Sequence, residues 1–125
     1  ALMAAVGRVV RLEREDQMDA VTGLSGSGPA YVFHLIEAMA KAGEAQGLPA
    51  DLSLELARMT VAGAGALAID ADEDPAVLRE NVTSPGGTTA AGLRVLMDPD
   101  SGLPPLMART VAAATERGRE LGRGQ

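Results

Sequence analysis

The amino-acid sequence predicts an all-α domain, and three observations predict it. Of its 125 residues, 46% are hydrophobic but only 2% aromatic. The core must therefore be built from Ala, Leu, Val and Met, which pack helices closely more readily than they cover a sheet. A single short run, Arg8 to Glu13, has the β-branched content of a strand, and it has no second strand to pair with. The remainder is cut by proline and glycine into segments of helical length.

Ala1 to Val6 reads as the tail of a helix, with Gly7 as its stop. With the lone strand after it, residues 1–15 read as the last piece of an upstream domain, and 16–125 as the helical domain. Asp16 to Leu24 forms a short helix ended by Ser25-Gly26-Ser27-Gly28-Pro29. Pro29 suits the first position of the next helix, capped by Ser27 or Gly28 and running to about Gln46 before Gly47. Its apolar residues lie on more than one face, which predicts burial nearly all round.

The following helix opens at Leu48-Pro49-Ala50-Asp51 and continues to about Ile69. Leu52, Leu56, Met59, Gly63 and Ala66 alternate in steps of four and three, a helix-packing seam. Glycines 63 and 65 inside it cost roughly 1 kcal/mol each relative to alanine, and close approach of another helix would justify them. Asp70 to Asp74 is an acidic, solvated turn. Asp74-Pro75 restarts a helix lasting to about Val82. A further helical pattern covers Ala90 to Met97, residues 98–105 form a stiff loop, and a last helix runs from about Leu106 to Leu121. Two helices apolar on several faces exceed what a small monomer can cover, so part of that surface is expected to be a homodimer interface.

Composition also excludes function classes. A net charge of −6 argues against nucleic acid or an anionic membrane surface as partner. There is no cysteine for disulfide or thiolate chemistry. The one histidine, His34, has no carboxylates clustered near it in sequence, so no metal is expected; a buried core or interface role suits it better. The longest apolar run, Met59 to Ile69, is too short to span a bilayer. A soluble, cytoplasmic chain is expected.

Gly63-Ala64-Gly65-Ala66-Leu67-Ala68 matches the dinucleotide-binding fingerprint by letter. That fingerprint needs a strand before it and a helix beginning at it, and this one lies inside a helix. Gly23-Leu24-Ser25-Gly26-Ser27 lacks the final glycine of a nucleophile elbow and follows a helix. Two glycine-bearing turns remain, 25–29 and 84–89, each set at a helix start with free backbone donors and hydroxyls. In the second, Pro85 fixes its own φ and drives Ser84 out of the α region. Gly86 and Gly87 permit positive φ, and Thr88-Thr89 lead into the helix. Unpartnered N–H groups at a helix start, beside two threonine hydroxyls, suit a small anion such as a carboxylate; a plain capped connector has the same outline.

Asp19-Ala20-Val21-Thr22-Gly23-Leu24-Ser25-Gly26-Ser27-Gly28-Pro29-Ala30-Tyr31, then Gly47-Leu48-Pro49, then Leu78-Arg79-Glu80-Asn81-Val82-Thr83-Ser84-Pro85-Gly86-Gly87-Thr88-Thr89 resemble pyrroline-5-carboxylate reductase in order and spacing. The match covers most of residues 15 to 121, and the third block is the family's signature. The chain is similar to that family's C-terminal helical dimerisation domain, without the nucleotide-binding Rossmann domain, of which residues 1–15 would be a remnant.

The resemblance implies an oxidoreductase that reduces the cyclic imine L-1-pyrroline-5-carboxylate to L-proline, the last step of proline synthesis, with NADPH or NADH. It implies an interlocked homodimer, in the family often assembled into decamers. It implies a substrate carboxylate on Ser84 Oγ and the N–H groups of Gly87 and Thr88, in a turn shaped by Gly86. Thr89 then bonds the ring nitrogen as the catalytic residue, Asn81 lies near the cofactor, and Glu15 lies near the substrate. One departure is Asp98-Pro99-Asp100-Ser101-Gly102-Leu103-Pro104-Pro105, where the family has a Gly-Gly-Phe-like turn. Two other readings stay open: a related imine or hydroxy-acid reductase, and a helical oligomerisation module without catalysis.

Overall fold

In the computed structural model, which describes residues 17–124, the chain is helical, with no strand among the described residues. The helix and strand expected over residues 1–13 lie outside them. The elements are α1 (Gln17–Val21), a π-helical turn (Thr22–Gly26), α2 (Gly28–Ala45), α3 (Ala50–Asp70), α4 (Pro75–Asn81), α5 (Thr88–Leu96) and α6 (Leu103–Gly122). They fall into two compact units, described separately: one holds residues 17–30 and 94–124, the other Tyr31 to Leu93.

In the first unit, α1 does not run to Leu24 and stop at a free turn, as the sequence predicts. The chain keeps winding, and the Ser27 N–H reaches back five residues to Thr22 O at 2.8 Å, the widened spacing of a π turn. Gly23 is the reason. It is buried against α6, where a Cβ would stand 2.5 Å from Thr115 Oγ1 and 3.1 Å from Val111 O. The Ser25 hydroxyl donates to Val21 O at 3.0 Å. With Ser25 and the Ser27 N–H both engaged, 25–29 is a packing joint rather than an open set of donors.

The helix α6 starts three residues before the predicted Leu106. Pro104 and Pro105 sit in its first turn, where N–H groups have no intrahelical acceptor and proline loses nothing. Gly102 caps it and is buried, because a side chain there would collide with backbone atoms of Leu96 and Asp98. Asp98 Oδ2 closes the loop by accepting from Ser101 N (2.8 Å), Ser101 Oγ (2.9 Å) and Asp100 N (3.0 Å).

In the second unit, α2 ends at Gly47, whose φ of +100° lets Gly47 N–H reach Glu44 O (2.9 Å) and Leu48 N–H reach Gly43 O (3.1 Å). This is a Schellman ending, and it turns the chain into α3, whose first turns meet the end of α2. The contact is close: a Cβ on Gly43 would meet Ser53 Oγ at 2.9 Å. Ser53, Ala57 and Ala40 are buried there, and the two alanines are the only buried apolar side chains among the described residues.

Burial all round α2 is not what one chain achieves. Phe33 is 65% and Met59 of α3 63% exposed, and Leu35, Leu52, Leu54 and Leu56 are also exposed. His34 is not a core residue of the single chain. It stands on a solvated stripe with Glu37, Lys41 and Glu44, its Nδ1 3.1 Å from Glu37 Oε1 and its side chain 81% exposed. Spacings of three and four place those four polar residues on one face, opposite the apolar one. By length and a mean hydropathy of 1.4, α3 is apolar enough to cross a bilayer; the shorter run read from sequence stops at Arg58.

Candidate functional site

The glycine turn and the helix ends that flank it lie wholly in the second unit. α4 begins with Pro75 in its first turn and unwinds at Val82 (φ −106°, ψ 12°). There Val82 N–H reaches only to Arg79 O (3.3 Å), and Thr83 N–H to Glu80 O (3.0 Å), the i→i−3 tightening common at helix ends.

Ser84-Pro85-Gly86-Gly87 then reverses the chain. Gly87 N–H donates to Ser84 O at 3.0 Å, and Gly86 has φ +74°. Proline at the second position and positive φ at the third are the marks of a type II turn. Gly87 lies close behind Ser84, with a Cβ there 3.2 Å from Ser84 O.

α5 follows at once, two residues earlier than the pattern from Ala90 suggests. Its first intrahelical-type bond runs from Ala91 N–H to Gly87 O, at 3.2 Å. Thr88, Thr89 and Ala90 N–H therefore have no backbone acceptor among the described residues, as the first donors of a helix must. The hydroxyls of Ser84, Thr88 and Thr89 have no intramolecular partner there either, and all three residues are exposed. Three backbone donors and three hydroxyls thus surround one helix start, with the positive end of the helix dipole behind them.

Of the expected site residues, Ser84, Gly86, Gly87, Thr88 and Thr89 are brought onto this turn, and Asn81 is the last helical residue before it. Glu15 lies outside the described residues. Gly87 N–H closes the turn onto Ser84 O, and the donors without a backbone acceptor begin at Thr88. Sequence reading missed Thr83, whose Oγ1 donates to Arg79 O at 2.6 Å. The signal was a β-branched hydroxyl residue four positions after a helical carbonyl.

Chemically, the turn can hold a small planar anion and orient what is attached to it. It contains no carboxyl, imidazole or amine, so it is a binding and positioning device rather than a proton-transfer one. The glycine pair of α3 forms no dinucleotide cradle. Gly63 and Gly65 sit in the middle of α3, with nothing within 4 Å of an added Cβ, and without a loop or helix start there is nothing to hold a pyrophosphate.

Comparison with known proteins matches residues 15–121 to the family model described as pyrroline-5-carboxylate reductase dimerisation. The pyrroline-5-carboxylate reductase of Arabidopsis thaliana is 51% identical over 120 residues, 96% of this chain and 42% of the relative. The structure of the enzyme from Coxiella burnetii is 40% identical, with a TM-score of 0.86, over 93% of this chain and 42% of that one. A Plasmodium falciparum pyrroline carboxylate reductase with NADP bound is 34% identical, with a TM-score of 0.81, over 91% and 43%. The chain spans less than half the length of these relatives.

Proposed function

The chain belongs to the pyrroline-5-carboxylate reductase dimerisation family, and from that premise we propose that it is the substrate-holding, dimer-forming part of an enzyme that reduces L-1-pyrroline-5-carboxylate to L-proline in proline synthesis. The observation that carries this reading is the set of unpartnered donors at the start of α5, held open by the type II turn. A carboxylate placed there is bound by Thr88 and Thr89 N–H and the Ser84 hydroxyl, and gains from the helix dipole. The Thr89 hydroxyl meets the ring nitrogen, fixing the imine carbon's orientation. Orientation of this kind is what turns a bound pair of reactants into a fast reaction.

The nicotinamide cofactor, NADPH or NADH, is held by a nucleotide-binding domain outside the described residues, of which residues 1–15 are the trailing piece. Asn81 borders that cofactor and Glu15 the substrate. Among the described residues the turn holds no strong acid, so water or an already protonated imine supplies the proton. The chain works as an interlocked homodimer, assembled further into decamers, in the cytoplasm, and α2 and α3 provide the surface.

The bare faces of α2 and α3 also fit a purely oligomerising module, so the test must read chemistry. The whole enzyme is assayed for oxidation of NADPH and NADH with L-1-pyrroline-5-carboxylate, and again as Thr89→Ala. Turnover by wild type, and a loss of about 1–3 kcal/mol in kcat/KM for the variant, is the expected result. Absence of imine reduction by the wild type leaves the oligomerising reading. Reduction of another imine or hydroxy acid instead names a sister reductase.

A further inference from the structure

Of the side chains from Thr83 to Thr89, only Thr83 turns its hydroxyl inward. Its Oγ1 donates to Arg79 O at 2.6 Å, while the hydroxyls of Ser84, Thr88 and Thr89 have no partner among the described residues. The same i−4 bond is made by Thr60 to Leu56 O and by Thr110 to Leu106 O. Those two lie inside long helices, where the backbone ladder already fixes the accepting carbonyl. At Thr83 the helix has ended: α4 closes at Asn81, and the other donor to Arg79 O, Val82 N–H, is stretched to 3.3 Å. The hydroxyl is therefore the tighter of the two ties on that carbonyl. It joins the last turn of α4 to the residue directly before Ser84.

We propose that Thr83 is a positioning residue for the substrate turn: its Oγ1–H···O=C bond to Arg79 sets the direction in which the chain leaves α4, and hence where Ser84 and the α5 donors stand. The chemistry suits the task. Threonine is β-branched and stiff at χ1, so one hydrogen bond fixes both side chain and backbone. Pro85 already restricts Ser84, which leaves Thr83 as the last free joint between α4 and the turn. Its hydroxyl is spent on the protein and is not a ligand to the substrate. The inference rests on the reading that the turn holds the imino-acid carboxylate, and it predicts a defect in substrate affinity alone.

The test uses the whole enzyme with Thr83→Val, which keeps the shape and removes the donor, and Thr83→Ser, which keeps the donor. The expected result for Thr83→Val is a KM for L-1-pyrroline-5-carboxylate raised about fivefold, the worth of one hydrogen bond. Its kcat stays within twofold, its KM for NADPH is unchanged, and Thr83→Ser behaves as wild type. If Thr83→Val is poorly folded, Thr83→Ala is judged by the same criteria. An unchanged imine KM, a Thr83→Ser enzyme as impaired as Thr83→Val, or a parallel change in both KM values with a lower melting temperature overturns the proposal. Any of these in an enzyme that reduces the imine leaves the functional reading standing; a wild type inactive on the imine removes that reading itself.

Discussion

At the scale of single residues, the turn depends on one backbone angle and one carboxylate closes the neighbouring loop. Gly86 has φ +74°, and an added Cβ would meet nothing within 4 Å. The cost of Gly86→Ala is thus purely conformational, about 1–2 kcal/mol for an L-residue in the left-handed region. Because the donors of α5 are usable only with the turn in this shape, the cost should appear as a KM for the imino acid raised about 5- to 30-fold, measured by steady-state kinetics of the whole enzyme. Asp98 is held below its ordinary carboxylate value of 3.8, first by the Ser101 N–H, then by the Ser101 hydroxyl and the Asp100 N–H. A depressed carboxylate adds stability that is fully present above the ordinary value and is lost as pH falls through the lowered one. The Ser101 amide resonance should therefore titrate with a midpoint below 3.8; a midpoint at or above it would mean the three bonds do not form in solution.

At the scale of elements, helix ends carry the constraints. Gly102 starts α6 where backbone atoms of Leu96 and Asp98 occupy the position of a side chain. Gly102→Ala should destabilise by about 3 kcal/mol, read from chemical denaturation, whereas Gly28→Ala, with open space around it, serves as the neutral control. Between α2 and α3 the opposite applies. Ser53 Oγ is buried without a hydrogen-bond partner among the described residues, beside a cleft of about 120 Å³ lined by Met39, Leu48 and Leu56. Ser53→Ala removes an unsatisfied hydroxyl and should stabilise by about 1 kcal/mol; a loss of stability would show that the hydroxyl has a partner in the assembled protein. These ends also divide what could be read from sequence from what could not. The Ser84–Gly87 turn was legible because proline fixes φ and glycine permits positive φ locally, and Gly47 for the latter reason. The winding of Thr22–Gly26 was not, since Gly23 answers to Thr115, 92 positions away along the chain. Pro104 and Pro105 read as a loop because proline ends most helices, yet in a first turn it begins one. His34 read as a core or interface residue because apolar residues flank it; the four-residue polar stripe that takes it out of the single chain's core was present in the spacing.

At the scale of the molecule, the question is what covers α3. Leu52, Leu56, Met59, Gly63 and Ala66 form the seam visible in the sequence, and in the single chain Leu52, Leu56 and Met59 are exposed. Among the described residues a Cβ at Gly63 would touch nothing, so that glycine costs roughly 1 kcal/mol of helix stability and gains no contact there. Close approach of a second copy's backbone would supply the missing return. Lipid is the competing cover, since the helix is long and apolar enough to cross a bilayer. One feature argues against it: Glu55 and Arg58 lie in the first three turns of the helix. A helix pair covered by a copy of itself satisfies all of this at once. The prediction is that the chain sediments as a dimer or a multiple of it at micromolar concentration without detergent, and does not float with phosphatidylcholine vesicles. Met59→Asp places an unpaired carboxylate in that seam from each copy. It should weaken association by about 3–5 kcal/mol, two orders of magnitude or more in Kd, and yield monomer in sedimentation equilibrium. Asp72→Ala, in the solvated acidic turn, should leave the dimer intact. A wild-type monomer at those concentrations, or a Met59→Asp chain that still dimerises, would place the interface elsewhere than on this seam.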